Sequence, residues 1–169
     1  GVTFVTLHVV GSNNGLGRTP EGDAEYVERN RANLAWLRQG FEHAKANNSR
    51  AVMIMQQANL FPEFSPFPDN PKEPSGYTDI RAQLRTESLA YGKPVVLVHG
   101  DSHYFRIDKP LSPLRERNKP LTTALENFTR VETFGSPYNH WVHVTIDAND
   151  PNVFTFRQRI VETNLTKPQ

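Results

Sequence analysis

Three short apolar runs constrain this chain most: "VTFVTLHVV" at 2–10, "AVMIM" at 51–55 and "VVLVH" at 95–99, with a helical pattern between each successive pair. The runs have strand length, are weighted toward β-branched residues, and each stops at a polar or glycine-containing segment. Between the first two, Leu34, Leu37, Phe41 and Ala44 recur at helical spacing. Trp36 widens that apolar face and Asp23 stands where an N-cap belongs, so a helix is predicted from Asp23 to Ala46 with Trp36 and Leu37 in the core. Between the second and third runs, Tyr77, Ile80 and Leu84 keep helical spacing up to Gly92, a C′ glycine, and Pro94 enforces the stop. The order β-α-β-α-β places the chain in the α/β class.

The remainder reads mainly as strand. "YFRID" at 104–108 is expected to pair or pack close to the third run. "WVHVTID" sets Val142, Val144 and Ile146 on one face and Trp141, His143 and Thr145 on the other. "VFTFRQRIV" answers with Phe154, Phe156 and Ile160, which predicts a hairpin with one buried face. Prolines at 62, 66, 68, 71 and 74 forbid regular structure there, while Phe61, Phe64 and Phe67 favour an ordered, lid-like loop. A second proline-containing loop is expected from Lys109 to Pro120.

A length of 169 residues suits one domain. The formal net charge is +1 and the Lys and Arg residues are scattered, so nucleic acid is not expected as a partner. No apolar stretch approaches the roughly 18 residues of a membrane span, and no membrane partner is expected. The absence of cysteine excludes disulfides and thiolate metal sites. Gly1 leads straight into a core strand, so the chain is expected to begin in mid-fold.

Ligands of α/β sheets bind outside the carboxyl ends of the strands, where backbone polarity is unpaired. Gln56, Gln57 and Asn59 follow the second strand, and Asp101 and His103 follow the third, so these groups are expected to converge. In the turn "GDSH" the glycine permits a sharp bend, and a carboxylate and an imidazole separated by one residue can face one ion. An Asx-turn is the alternative role of Asp101. Asn13 and Asn14 can line the site from the first loop, or serve only the turn. Arg106 suits a phosphate contact, or a strand-edge ion pair. His99 and His8 read as structural, and His140 and His143 lie outside the candidate site.

The segments "NLAWLRQGFEHA", "AVMIMQQANLF" and "VVLVHGDSHYFR" together resemble the second half of the calcineurin-like metallophosphoesterase family. In that family a helix bearing a WL pair precedes a strand ending in a metal-binding His, and a later strand ends in a Gly-His-x-His turn. The resemblance covers roughly residues 1–107. It implies part of a four-layer α/β/β/α sandwich lacking its N-terminal half. It also implies divalent metal ions (Mn, Zn, Fe or Mg) that bind phosphate and activate water. By position His103 matches the second His of the turn, Asp101 replaces the first, and Gln57 replaces the earlier His. His103 and Asp101 are thereby the implied catalytic residues, with Gln57 as a third metal ligand and Asn13, Asn14 and Arg106 toward the substrate.

The family's first three motifs lie upstream of the position that Gly1 matches. The chain is therefore expected to be inactive or weak by itself. Its expected partners are a phosphoester substrate and either a second copy or the missing N-terminal portion. The alternative is a non-catalytic half-domain that acts as a binding module through self-association.

Overall fold

A computed structural model describes residues 1–61, 74–111 and 125–165. The proline-rich loop falls outside the described residues except for Phe61 and Pro74, as does the loop expected at 109–120 beyond Leu111. Strands β1 (Val2–Thr6), β2 (Ala51–Met55), β3 (Val95–His99), β4 (Arg106–Asp108) and β5 (Phe128–Glu132) form one sheet in the order β1-β2-β3-β5-β4. The first four in that order run parallel, and β4 closes the far edge antiparallel to β5. Four strands therefore end on the same edge. The chain is mixed α/β with a mostly parallel sheet, as the alternation of elements predicts.

Helices α1 (Pro20–Ala46) and α2 (Thr78–Tyr91) connect β1 to β2 and β2 to β3. Both crossovers step in the same direction across the sheet, so both helices lie on one face. Their buried residues Leu37, Phe41, Ala44, Ile80 and Leu84 pack with Val5, Val52, Ile54, Val95, Leu97 and Phe128 in one apolar core. Each fully buried Leu, Ile or Phe there contributes roughly 1.5–3 kcal/mol.

Two details of α1 correct the sequence reading. The helix begins earlier than Asp23, because Thr19 is its N-cap and accepts from the Gly22 N–H at 3.0 Å, with Pro20 in the first turn. Asp23 instead accepts the Gly17 N–H at 2.6 Å. Trp36 is 53% exposed, not core. The buried stripe runs Tyr26, Asn30, Asn33, Leu37, Phe41, Ala44, and Trp36 stands about 100° around the helix from Leu37. Asn30 and Asn33 occupy stripe positions that an apolar pattern skips. Asn33 accepts the His8 N–H at 2.9 Å and donates to the His8 carbonyl at 2.7 Å. Its amide thus stands in for a neighbouring strand where β1 has run past its pairing partner.

Strands β6 (Trp141–Ile146) and β7 (Phe154–Arg159) form the expected antiparallel hairpin. Phe154, Val144 and Phe156 pack with Ala51, Met53, Val96 and Val131 in a second core, on the sheet face opposite the helices. Ile160 lies beyond β7 and is exposed.

Strand β5 is absent from the sequence reading, because "FTRVE" carries an arginine and a glutamate at positions that prove fully buried. The neighbour across the ladder explains them. Arg106 pairs with Glu132 and Asp108 with Arg130 in register, so each buried charge meets an opposite charge directly across the strands.

Candidate functional site

The carboxyl ends of β1, β2, β3 and β5 meet in one hydrogen-bonded cluster. Gln57, two residues past β2, is its hub: Oε1 accepts the Gly11 N–H at 2.8 Å, and Nε2 donates to Asp101 Oδ1 at 3.1 Å. Those partners fix the amide orientation, since an N–H can only donate and an ionised carboxylate can only accept. Gly11 approaches closely, and a Cβ there would stand 2.9 Å from Asp101 Oδ1. The second carboxylate oxygen of Asp101 accepts the Asn59 N–H at 3.0 Å.

The turn after β3 is unusual in its backbone. Asp101 and His103 both have positive φ, 82° and 58°, a region uncommon for any residue but glycine, although asparagine, aspartate and histidine enter it more often than others. The Ser102 N–H reaches back to the Gly100 carbonyl at 3.2 Å and also donates to Glu132 Oε1 at 3.1 Å. Asn59 Nδ2 donates to Ser102 Oγ at 2.9 Å, and Arg130 Nη1 donates to Asn59 Oδ1 at 3.3 Å. Asn59 thereby ties the loops after β2 and β3 to the charged ladder on β5.

His103 is exposed and packs against the loop after β5. Its Nδ1 lies 2.7 Å from the Ser136 carbonyl, which can only accept, so Nδ1 carries the hydrogen. A neutral His103 therefore holds its lone pair on Nε2, the arrangement typical of an imidazole that ligates a metal or takes a proton. Gly135 makes room for the ring, because a Cβ at that position would come within 2.4 Å of His103 Cδ2.

The residues expected to contact substrate are held by the protein. Asn14 is fully buried; its Oδ1 accepts from Val10 N–H and from Arg29, and its Nδ2 donates to the Gly76 carbonyl at 3.1 Å. Asn13 accepts the Gly76 N–H at 2.8 Å and donates to the Leu16 and Pro74 carbonyls. Together they fasten a left-handed turn, with φ of 56° to 61° at Ser12, Asn13 and Asn14, to the segment ahead of α2. Arg106 donates to Glu132 Oε2 at 2.8 Å and forms an ion pair with it. Substrate contact by any of the three involves releasing or sharing such a partner.

His99 is 2% exposed and lies opposite Glu132 in register. Its Nδ1 lies 2.8 Å from the Gly100 carbonyl, while Nε2 is buried with no hydrogen-bond partner among the described residues. Burial pushes its pKa below the ordinary imidazole value, against the opposing pull of Glu132.

Among the described residues no group of three or more His, Cys, Asp or Glu is arranged to hold a metal ion. Asp101 keeps further lone pairs toward an ion, and His103, on the same turn, presents Nε2. Gln57 adds its carbonyl oxygen only by releasing Gly11. That set is incomplete for a tetrahedral or octahedral ion unless further donors come from elsewhere. Glu132, Arg130 and Ser102 are the members that sequence reasoning missed. Their signal lies in the opposed order of charges, Arg106 and Asp108 against Arg130 and Glu132, legible only once the two strands are paired.

Fold and cluster together define an α/β protein with a polar site on the carboxyl edge of a mostly parallel sheet. No family model matches the chain, and neither a curated protein nor a solved structure matches it.

Proposed function

We propose that the chain is the C-terminal portion of a metal-dependent phosphoesterase, with its site at the Gly100–His103 turn. The observation that carries this reading is that one turn, at the edge where α/β sheets bind ligands, bears both a backbone-oriented imidazole, His103, and a carboxylate held by Gln57 and Asn59, Asp101. In the proposed complete protein a second β-layer and an outer helical layer extend the helix–sheet–hairpin arrangement into a four-layer α/β/β/α sandwich. A divalent ion (Mn, Zn, Fe or Mg) would be held by His103 and Asp101, with Gln57 joining after rotation. When bound, it supplies charge stabilisation to phosphate oxygens and lowers the pKa of a bound water. The remaining donors come from the upstream motifs of the family or from a second copy. His103 would face the ion through Nε2, its one lone pair, and Gln57 and Asn59 orient Asp101.

A structural observation also supports association. Phe4 is 52% exposed on β1, and no strand among the described residues pairs with the outer edge of β1. A second copy or the upstream portion would cover this region, whether the assembled protein is an enzyme or a binding module.

The deciding experiment combines an assay with spectroscopy. The protein carrying the upstream motifs, loaded with Mn or Zn, is expected to release product from phosphate mono- or diesters. In the present chain Mn²⁺ is expected to broaden the His103 ring signals first. No turnover across a broad ester panel, together with unbroadened His103 signals, would overturn the reading. A stable monomer by light scattering at high dilution would remove self-association.

A further inference from the structure

We infer that Glu132, through the Ser102 N–H, is the positioning residue that holds the Gly100–His103 turn in its ligand-presenting shape; this rests on the reading of that turn as the site. The turn from Gly100 to Ser102 closes with an i to i+2 hydrogen bond of 3.2 Å around Asp101 at φ 82°. That is the geometry of the positive-φ γ-turn, a rare and strained form. His103 follows at φ 58°, so Ser102 sits between two residues in the left-handed region. Such conformations persist only where surrounding contacts over-determine them.

Glu132 supplies that constraint from outside the turn. Its residue is 0% exposed, its Oε1 accepts the Ser102 N–H at 3.1 Å, and its Oε2 takes Arg106 at 2.8 Å. Strand β5 is locked in register to β3 and β4, so the carboxylate is a fixed post rather than a mobile arm. Asp101 and His103 flank the residue that Glu132 grips. A shift of the Ser102 N–H therefore changes the direction of both side chains together.

Two variants test this. Glu132→Gln retains the shape but sets one amide between two donors, the Ser102 N–H and Arg106. The charged guanidinium takes the carbonyl oxygen, and the amide NH₂ then faces the Ser102 N–H. Glu132→Asp keeps the charge and the Arg106 pair but is one methylene shorter, and it serves as the readout should Glu132→Gln fail to fold. The measurement is amide hydrogen exchange at Ser102, with Ile54 and Leu97 as core references, followed by titration with Mn²⁺ alone while the His103 ring signals are observed.

Loss of the grip is expected to speed Ser102 exchange about tenfold with the references unchanged, and to raise the Mn²⁺ concentration for half-broadening about tenfold, the scale of lost outer-shell contacts. Unchanged Ser102 exchange in a folded variant overturns the positioning role. Equal acceleration at Ser102, Ile54 and Leu97 also overturns it, since Glu132 then serves global stability. If Mn²⁺ leaves wild-type His103 undisturbed, the metal-site reading fails, while Ser102 exchange still decides whether Glu132 holds the turn.

Discussion

His103 turns its Nδ1 onto the Ser136 carbonyl at 2.7 Å, so the loop after β5 determines which nitrogen of the imidazole faces outward. The same loop supplies Gly135, whose missing side chain is the space that the ring occupies. ¹⁵N spectra of the neutral ring are expected to show His103 as the Nδ1–H tautomer. Gly135→Ala is expected to expel the ring and abolish that preference. The result to the contrary is a spectrum of Gly135→Ala indistinguishable from wild type.

His99 should make stability depend on pH. Burial lowers its folded-state pKa beneath its unfolded value of about 6.5, and the unfolded chain therefore binds more protons wherever His99 titrates. Its contribution is complete above the unfolded pKa and is lost as pH falls from there toward the folded pKa. Glu132 opposes the shift, and Arg130 and Arg106 reinforce it. Denaturant midpoints are expected to fall as pH is lowered through the sixes, and His99→Gln should flatten that slope. An unchanged slope in the variant would assign the pH dependence to other groups.

Gly40 of α1 faces Val5 of β1, and a Cβ there would lie 2.5 Å from Val5 Cγ2. Helix propensity favours Gly40→Ala by about 1 kcal/mol, but overpacking a close helix–strand contact costs roughly 1–3 kcal/mol. The clash is expected to win. Chemical denaturation should show Gly40→Ala less stable, whereas a stabilised variant would mean that Val5 yields without strain.

Arg130 is fully buried between Asp108 and Asn59, with its guanidinium 5.1 Å from the Phe61 ring centre. Arg130→Met should destabilise by about 3 kcal/mol, near the lower end for breaking a buried pair, because Asp108 retains access to water. Arg130→Met/Asp108→Leu should recover much of the loss by removing the stranded carboxylate. Equal stability of the single and double variants would show that the Asp108 carboxylate, left without Arg130, carries no cost.

Local pattern carried much of the architecture. Leu37, Phe41, Ile80 and Leu84 mark helix faces through spacing alone, and Gly92, at φ 69°, ends α2 where the sequence places the stop. β5 was hidden for the opposite reason. Arg130 and Glu132 look like surface residues until Asp108 and Arg106 are set across from them, a pairing between strands some twenty residues apart. Trp36 misleads in the other direction, since adjacency to Leu37 in sequence is not adjacency on a helix.

The order of residues by itself determined the α/β alternation, the two helix faces and the hairpin, because these depend on side-chain periodicity within a single element. It also brought Gln56, Gln57, Asn59, Asp101 and His103 to strand ends that a sheet must bring together. Tertiary structure alone decided what each of them does there. Gln57 spends its carbonyl on Gly11, Asp101 shares its oxygens with Gln57 and Asn59, and His103 takes its tautomer from Ser136. Hydrogen bonds are short and directional, so their partners follow from the packing of four strand ends, a relation that no spacing along the chain encodes.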